Sequence, residues 1–376
     1  MRELNIGIIG TKFMGRLHSH VWKNLSSFFD LPFKPRLLYA CGRDASSLAS
    51  FSEKWGWEKH SLEWRDLAAC KDVDVLDICT PPNLHYPLSM AGIREGKHIL
   101  CEKPLAMNAS EGREMAEAAR DRGIVHYVNH NYRRCPAVVL AKEIISSGKL
   151  GRVLHWRGVY MNCNLLDPAL PIGWNMVKDI AGSGPLSALN SHSVDLARYL
   201  VGEIASVSAV NRVIVPERPV KGGGTGKVTT EDASCMVVEF ENGAIGSFDT
   251  SRFASGRKNY NSFEIYGSRG SLAFNFERMN ELQYHSEDDP PETQGFRTIN
   301  VSESFHPYMT AWWPHGHPIG YEHTFFHAFT DFIQAVDGNK KIKPDFYDGW
   351  RGMQFIDAAL KAGETGARVY LKAAER

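Results

Sequence analysis

The chain has 376 residues, 43 basic against 43 acidic side chains, 15 histidines and 43% hydrophobic residues. That is the composition of a globular protein and excludes disordered, collagen-like and coiled-coil classes. The length predicts two domains, each large enough for a core of its own. A formal net charge of zero removes the electrostatic footprint of a nucleic-acid binder, which leaves small molecules and protein partners. The seven cysteines are odd in number and no two are spaced C-x-x-C, so neither a disulfide framework nor a zinc cluster is expected. The first strand pattern, Leu4 to Ile9, begins almost at Met1, which leaves no room for a signal peptide. No apolar run approaches the roughly 18 residues of a membrane span. These features predict a cytoplasmic protein that does not bind membranes.

From Met1 to about Asn129 short apolar runs alternate with amphipathic stretches. The runs are Asn5–Ile9, Arg36–Cys41, Val75–Cys79, His98–Cys101 and His126–Asn129, with helical periodicity near 13–27, 45–55, 83–95 and 110–122. Strands that alternate with helices need right-handed crossovers, so a doubly wound parallel sheet is expected over residues 1–129.

Beyond Asn129 the texture changes. A helix from Pro136 to Ser147 leads into an alternating strand, Val153–Tyr160, and a second helix spans about Ser191 to Val201. Strand-like runs then follow at 204–215, 233–240, 244–252, 260–266 and 271–276, separated by turns such as Glu241-Asn-Gly243. Successive strands without helices between them predict an α+β domain over 130–376, with a large, mostly antiparallel, open-faced sheet. Gly222-Gly-Gly224 reads as a hairpin tip, 285–320 as a long loop over a cleft, and 321–338 and 347–363 as helices.

Gly10-Thr11-Lys12-Phe13-Met14-Gly15 directly follows the first strand and opens the first helix. A dinucleotide pyrophosphate meets a helix N-terminus at that place, although Lys12 stands where the middle glycine of G-x-G-x-x-G would be. The second strand ends Gly42-Arg43-Asp44, where Arg43 can pair with a 2′-phosphate or Asp44 can take the ribose hydroxyls. The reading is NAD(P), with a lean to NADP. The next two apolar runs lead into Thr80-Pro81-Pro82-Asn83-Leu-His85 and Glu102-Lys103-Pro104. Both lie at carboxyl ends of strands, where open α/β sheets bind ligands. Pro104 takes Lys103 out of helical geometry, admits a cis bond, and lets the ammonium face a substrate hydroxyl.

These motifs, with NHNYRRCP at 129–136 and GSGPLSALNSHSVDLARYL at 182–200, resemble the glucose-fructose oxidoreductase / inositol dehydrogenase / rhizopine catabolism (Gfo/Idh/MocA) family over essentially the whole chain. The resemblance implies a Rossmann domain followed by an open-sheet domain, and hydride exchange at a sugar or cyclitol hydroxyl. It implies that Lys103 and His192 are the catalytic pair and places Asn131 with the cofactor. His192 is read at a helix N-terminus, where the dipole favours a neutral, proton-accepting imidazole. The family's aspartate four residues earlier is Ala188 here, and its glycine two residues earlier is Asn190.

Tyr132, Arg133, Tyr160, Asn162, Trp174, Asn175 and Asn190 are candidate substrate contacts beside His192, because aromatic faces and amide or guanidinium donors suit sugar rings. His315 and His317 lack an acidic or cysteine partner at ligand spacing, so no metal site is expected. The leading function is an NAD(P)-dependent oxidoreductase acting on a sugar, glycoside or cyclitol, assembled as a homo-oligomer through the second domain's sheet. The alternatives are a redox-neutral, NAD-dependent glycoside-cleaving enzyme and a catalytically impaired binding or regulatory protein.

Overall fold

Leu4, Ile6, Ile8 and Ile9 are buried, and the strand that carries them, β1 (Arg2–Ile9), lies in the middle of a parallel sheet. The computed structural model describes residues 2–338 and 340–372. Two units divide the chain: Met1–Arg134 with Gly320–Arg351, and Cys135–Ile319 with Gly352–Arg376. The sequence reading placed one division after residue 129. The structural division falls after Arg134, and a segment from near the C-terminus returns to the first unit.

In the first unit β1 is followed by α1 (Phe13–Asn24), β2 (Phe33–Cys41), α2 (Ala45–Trp55), β3 (Lys59–Ser61) and α3 (Trp64–Ala69). Then come β4 (Val75–Ile78), α4 (His85–Arg94), β5 (His98–Cys101), α5 (Ala109–Arg122) and β6 (His126–Val128). All six strands run parallel in the order β3-β2-β1-β4-β5-β6. The order reverses between β1 and β4, which opens a crevice at their carboxyl ends. Local chemistry sets the helix limits. Asp44 caps α2 by accepting from Ser47 N, and Gly56 ends it in the left-handed region. Asn108 caps α5 through Glu111 N, while Glu111 reaches back to Met107 N, a close relative of the capping box.

Three features of this unit depart from the expected pattern. The strand β2 starts at Phe33, ahead of the run read as Arg36–Cys41. The edge strand β3 and the short α3 were not expected, since Lys59-His-Ser61 is polar and carries no hydrophobic period. The helix His323–Val336 buries Phe325, Phe329 and Phe332, with the Phe329 ring 4.4 Å from that of Trp22 in α1. Burying such side chains stabilises by roughly 1.5–3 kcal/mol each.

The second unit contains α6 (Pro136–Ser146), β7 (Val153–Met161), α7 (Lys178–Ala181), α8 (Ser191–Leu200) and β8 (Ile204–Arg212). The hairpin β9 (Glu217–Pro219) and β10 (Thr225–Lys227) has the three glycines at its tip. Then follow β11 (Ala233–Phe240), β12 (Ile245–Ser251), β13 (Tyr260–Gly267), β14 (Gly270–Asn275), β15 (Glu281–Ser286), β16 (Arg297–Asn300) and β17 (Val369–Tyr370). The sheet order is β16-β15-β14-β13-β7-β12-β11-β8-β17, with β7 and β12 the parallel pair. The segment read as a loop over 285–320 thus contributes the edge strand β16, paired with β15.

Burial alternates along β11: Ser234, Met236, Val238 and Phe240 face inward, and Cys235 and Val237 face out. Trp156, Phe248 and Phe263 fill the inner face, where Phe355 of the last helix (Phe346–Thr365) packs on Phe248 at 5.5 Å. The outer face leaves Val210, Val237 and Ile245 more than half exposed. Among the described residues no helix is long and apolar enough to cross a membrane.

Candidate functional site

The turn between β1 and α1 is shaped by its two glycines. Gly10 has φ +110°, and a Cβ there would lie 2.5 Å from the Cys79 carbonyl oxygen. A Cβ on Gly15 would lie 2.0 Å from the Gly10 carbonyl oxygen. Lys12 is the N-cap residue of α1 and forms no side-chain cap, so the first N–H groups of the helix are left to an incoming acceptor. Lys12 and Phe13 are exposed, and Thr11 and Met14 are half-buried around that end. Gly42 closes in on the same turn, since a Cβ there would meet Thr11 at 3.2 Å. Arg43 beside it is exposed. Asp44 is committed in part to capping: its Oδ1 accepts from Ser47 N at 2.8 Å, and hydrogen bonds from Ser47 hold its carboxyl below the usual range. These residues fit a dinucleotide, whose phosphates need close backbone approach and unsatisfied N–H groups.

The ends of β4 and β5 bring Thr80, Pro81, Pro82 and Asn83 to the same edge as Glu102 and Lys103, whose bond to Pro104 is cis. Two expected cofactor contacts turn inward instead. His85 is fully buried, with Nδ1 2.7 Å from the Pro104 oxygen and Nε2 2.9 Å from the Thr80 oxygen. It ties the two strand-end loops together and presents no open ring nitrogen to a ligand. Glu102 is also buried. Its Oε1 lies 3.0 Å from His18 Nε2 and 2.7 Å from Asn129 Nδ2, and its Oε2 accepts from Lys103 N at 3.2 Å.

Behind Glu102 lies a cluster that sequence reasoning missed. His18 Nδ1 stands 2.8 Å from Asp77 Oδ1, and Asp77 Oδ2 accepts from Trp22 Nε1 at 2.7 Å. Burial by itself lowers the His18 pKa, but Asp77 and Glu102 raise it further, to about 9. His18, Asp77 and Cys79 offer ligand atoms within 4.8 Å of one another, and hydrogen bonds already join them. The available signal was Asp77 itself, a carboxylate inside a buried apolar strand, which requires a partner.

Asn131, Tyr132 and Arg133 also belong to the first unit and are buried. Asn131 Nδ2 donates to Thr324 Oγ1 at 2.7 Å, and Arg133 pairs with Asp348 at 3.5 Å. The expected substrate contacts Tyr132 and Arg133 therefore pack against the returning segment 320–351, outside the second unit to which the sequence reading assigned them.

In the second unit His192 is the second residue of α8 but does not sit at an open helix end. A π-helical turn, Leu186–Asn190, leads directly into α8 with Asn190 and Ser191 both in the helical region. The free N–H groups lie further back, at Gly184 and Leu186, and both donate to Glu231 Oε1, at 2.8 and 3.1 Å. The dipole argument for His192 is corrected accordingly, because the effect fades within one turn. The buried His192 ring faces Tyr160 at 6.1 Å, and the Tyr160 hydroxyl donates to Asn259 Oδ1 at 2.8 Å.

Asn162 is buried, its Oδ1 accepting from Asn164 N at 3.2 Å. Trp174 is 51% exposed, and the carbonyl of its neighbour Asn175 accepts from Arg252 Nη1 at 3.1 Å. Asn190 is fully buried, with Nδ2 3.8 Å from Met236 Sδ of β11. It faces the sheet core, which corrects its expected role as a substrate contact. Ala188 lies within the π turn, its N–H bonded to the Gly184 oxygen at 3.0 Å.

A glycine turn feeding an uncapped helix at the switch point of a doubly wound sheet, followed in the chain by a large open-faced sheet, defines a dinucleotide-dependent oxidoreductase. Residues 4–130 match the oxidoreductase family with an NAD-binding Rossmann fold, and residues 138–273 match the GFO/IDH/MocA C-terminal domain. The chain is 38% identical to levoglucosan dehydrogenase of Pseudarthrobacter phenanthrenivorans over 96% of each chain. A structure of levoglucosan dehydrogenase in complex with NADH superposes with a TM-score of 0.96, covering 99% of this chain and 100% of that one. An oxidoreductase domain protein from Kribbella flavida, 41% identical, also gives 0.96, with coverage of 99% and 100%. The protein belongs to the Gfo/Idh/MocA family of oxidoreductases.

Proposed function

We propose that the protein is an NAD(P)-dependent dehydrogenase that oxidises a hydroxyl of a sugar, glycoside or cyclitol. The observation that carries this reading is the likeness to levoglucosan dehydrogenase over nearly the whole of both chains, joined to the sequence motifs that contain Lys103 and His192. Bound dinucleotide supplies the hydride acceptor. Thr11, Phe13, Met14 and the N–H groups that open α1 hold its phosphates, and Thr80, Pro81, Pro82 and Asn83 edge it at the end of β4. The exposed Arg43 guanidinium favours a 2′-phosphate, hence NADP, while Asp44 is in part spent on its helix cap.

Lys103 hydrogen-bonds the substrate oxygen and stabilises negative charge that develops there, and His192 takes the hydroxyl proton. Tyr160 bounds the His192 ring and, with Asn162, Trp174 and Asn175, supplies the amide and aromatic surface that suits a sugar. The outer face of the nine-stranded sheet, with its exposed valines and isoleucine, pairs with another copy of the chain, and the protein works in the cytoplasm.

Ala188 favours a second reading. The family's aspartate is absent one turn before His192, and the same Lys103–His192 pair can instead serve a redox-neutral glycoside cleavage in which the cofactor is regenerated. Sugar is incubated with NAD and, separately, with NADP while reduced-cofactor absorbance and product are followed. A rising reduced-cofactor band supports the dehydrogenase, and product without net reduced cofactor supports the second reading. Lys103→Ala and His192→Ala are each expected to lower turnover roughly a hundredfold with dinucleotide affinity nearly unchanged. Near-normal turnover in either variant removes that residue from the pair.

A further inference from the structure

The buried cluster at the carboxyl ends of β4 and β5 has a geometry that the proposed reaction does not use directly. Each ring nitrogen of His18 faces a carboxylate: Nδ1 lies 2.8 Å from Asp77 Oδ1 and Nε2 lies 3.0 Å from Glu102 Oε1. Carboxylates only accept, so both contacts are satisfied together only by the doubly protonated ring. The surrounding groups fit that charge. Trp22 donates to Asp77 from α1, Asn129 donates to Glu102 from the end of β6, and the Phe325 and Phe329 rings close the cluster at 5.6 and 5.0 Å. Cys79 Sγ lies 3.2 Å from Nδ1, and burial pushes its thiol up, which keeps it neutral. Two carboxylates, Asp77 and Glu102, are thereby balanced by the His18 imidazolium and the neighbouring Lys103 ammonium.

The chain of contacts leads to Lys103. Glu102 Oε2 accepts the main-chain N–H of Lys103 at 3.2 Å, so the carboxylate held by His18 also holds the backbone from which the Lys103 side chain springs. We propose that His18 is a positioning residue for Lys103, an imidazolium strut between Asp77 and Glu102 that sets the backbone of the Glu102–Lys103 turn. The proposal rests on the assignment of Lys103 to the reacting hydroxyl. Without the imidazolium Glu102 loses the charged donor that fixes its Oε1, and while Asp77 keeps its charge the two carboxylates also face each other as buried like charges. Glu102 then shifts, and a displacement of about 1 Å at a reacting group can cost a hundredfold in rate.

The experiment uses the full chain with whichever of NAD and NADP the wild type reduces and its best sugar, and three variants. His18→Gln removes the charge. His18→Gln/Asp77→Asn removes one positive and one negative charge together, and it serves where the single variant fails to fold. Trp22→Phe weakens the same cluster on the side away from Glu102. Both His18 variants are expected to lose between about tenfold and a hundredfold in kcat, with sugar KM and dinucleotide Kd within about twofold of wild type. Trp22→Phe is expected to lower Tm and leave kcat near wild type.

An equal loss of kcat in Trp22→Phe, or a normal kcat in the double variant, overturns the proposal. Nitrogen NMR of the wild type supplies a readout that needs no turnover: a doubly protonated His18 at pH 8 is required, and a neutral ring overturns the proposal. The Lys103 Nζ resonance must also move in the double variant, and an unmoved resonance counts against positioning. If the wild type oxidises no sugar, the functional reading fails by itself, and the two NMR measurements still decide the role of His18.

Discussion

Replacing His18 is expected to change stability in a way that depends on pH. The folded protein raises the His18 pKa from 6.5 to about 9. The folded state therefore holds the proton more tightly than the unfolded chain, and the resulting stabilisation is full below pH 6.5 and lost as pH rises through about 9. At 1.36 kcal/mol per unit, that shift corresponds to about 3 kcal/mol, most of which remains at pH 7 and almost none at pH 10. Urea unfolding of the wild type and His18→Gln at several pH values between 7 and 10 reads this directly, because the other cysteines, tyrosines and lysines titrate in both chains and cancel in the difference. The gap between the two chains should narrow by about 2 to 3 kcal/mol across that range. A gap that stays constant or widens towards pH 10 would refute an imidazolium at this site. On the acid side the sign is opposite. Burial by itself raises the Glu102 pKa, but His18 and Lys103 hold it below 4.5, so its contribution is present above that value and is lost as pH falls through the folded one.

Ala188→Asp restores a carboxylate one turn from His192 and is expected to speed NAD reduction with a matched sugar and to shift the pH–rate profile. An unchanged or lost rate in a well-folded protein would mean that alanine belongs to this site's own chemistry. Arg43→Ala should weaken NADP binding more than NAD binding in a fluorescence titration, and equal losses would end the 2′-phosphate assignment. Gly15→Ala forces a methyl group to within 2.0 Å of the Gly10 carbonyl oxygen, so the turn must open, and dinucleotide Kd should rise by about tenfold or more. Calorimetric titration that finds wild-type affinity would show that the glycine turn does not hold the phosphates.

The elements legible in the amino-acid order were those whose cause lies within a turn or two of chain. The burial of Leu4, Ile6, Ile8 and Ile9, the glycines at 10 and 15 and the alternation along β11 are all local in this sense, and each announced itself. The family motifs point further, to Lys103 and His192. What folding alone decided depends on partners far apart in sequence. The polar strand β3 exists because β2 offers it an edge. His85 turned inward between the nearby Thr80 carbonyl and the Pro104 carbonyl of the next strand-end loop, and Glu102 did so because His18, 84 positions away, was there to receive it. The π turn before His192 moved the open helix end back to Glu231, and Asn190 was drawn into the core beside Met236. His18 is the sharpest case: its carboxylates lie 59 and 84 positions away. Periodicity and capping report on neighbours along the chain, whereas the charge of a buried ring is set by electrostatic neighbours in space, and those exist only once the sheet has closed around them.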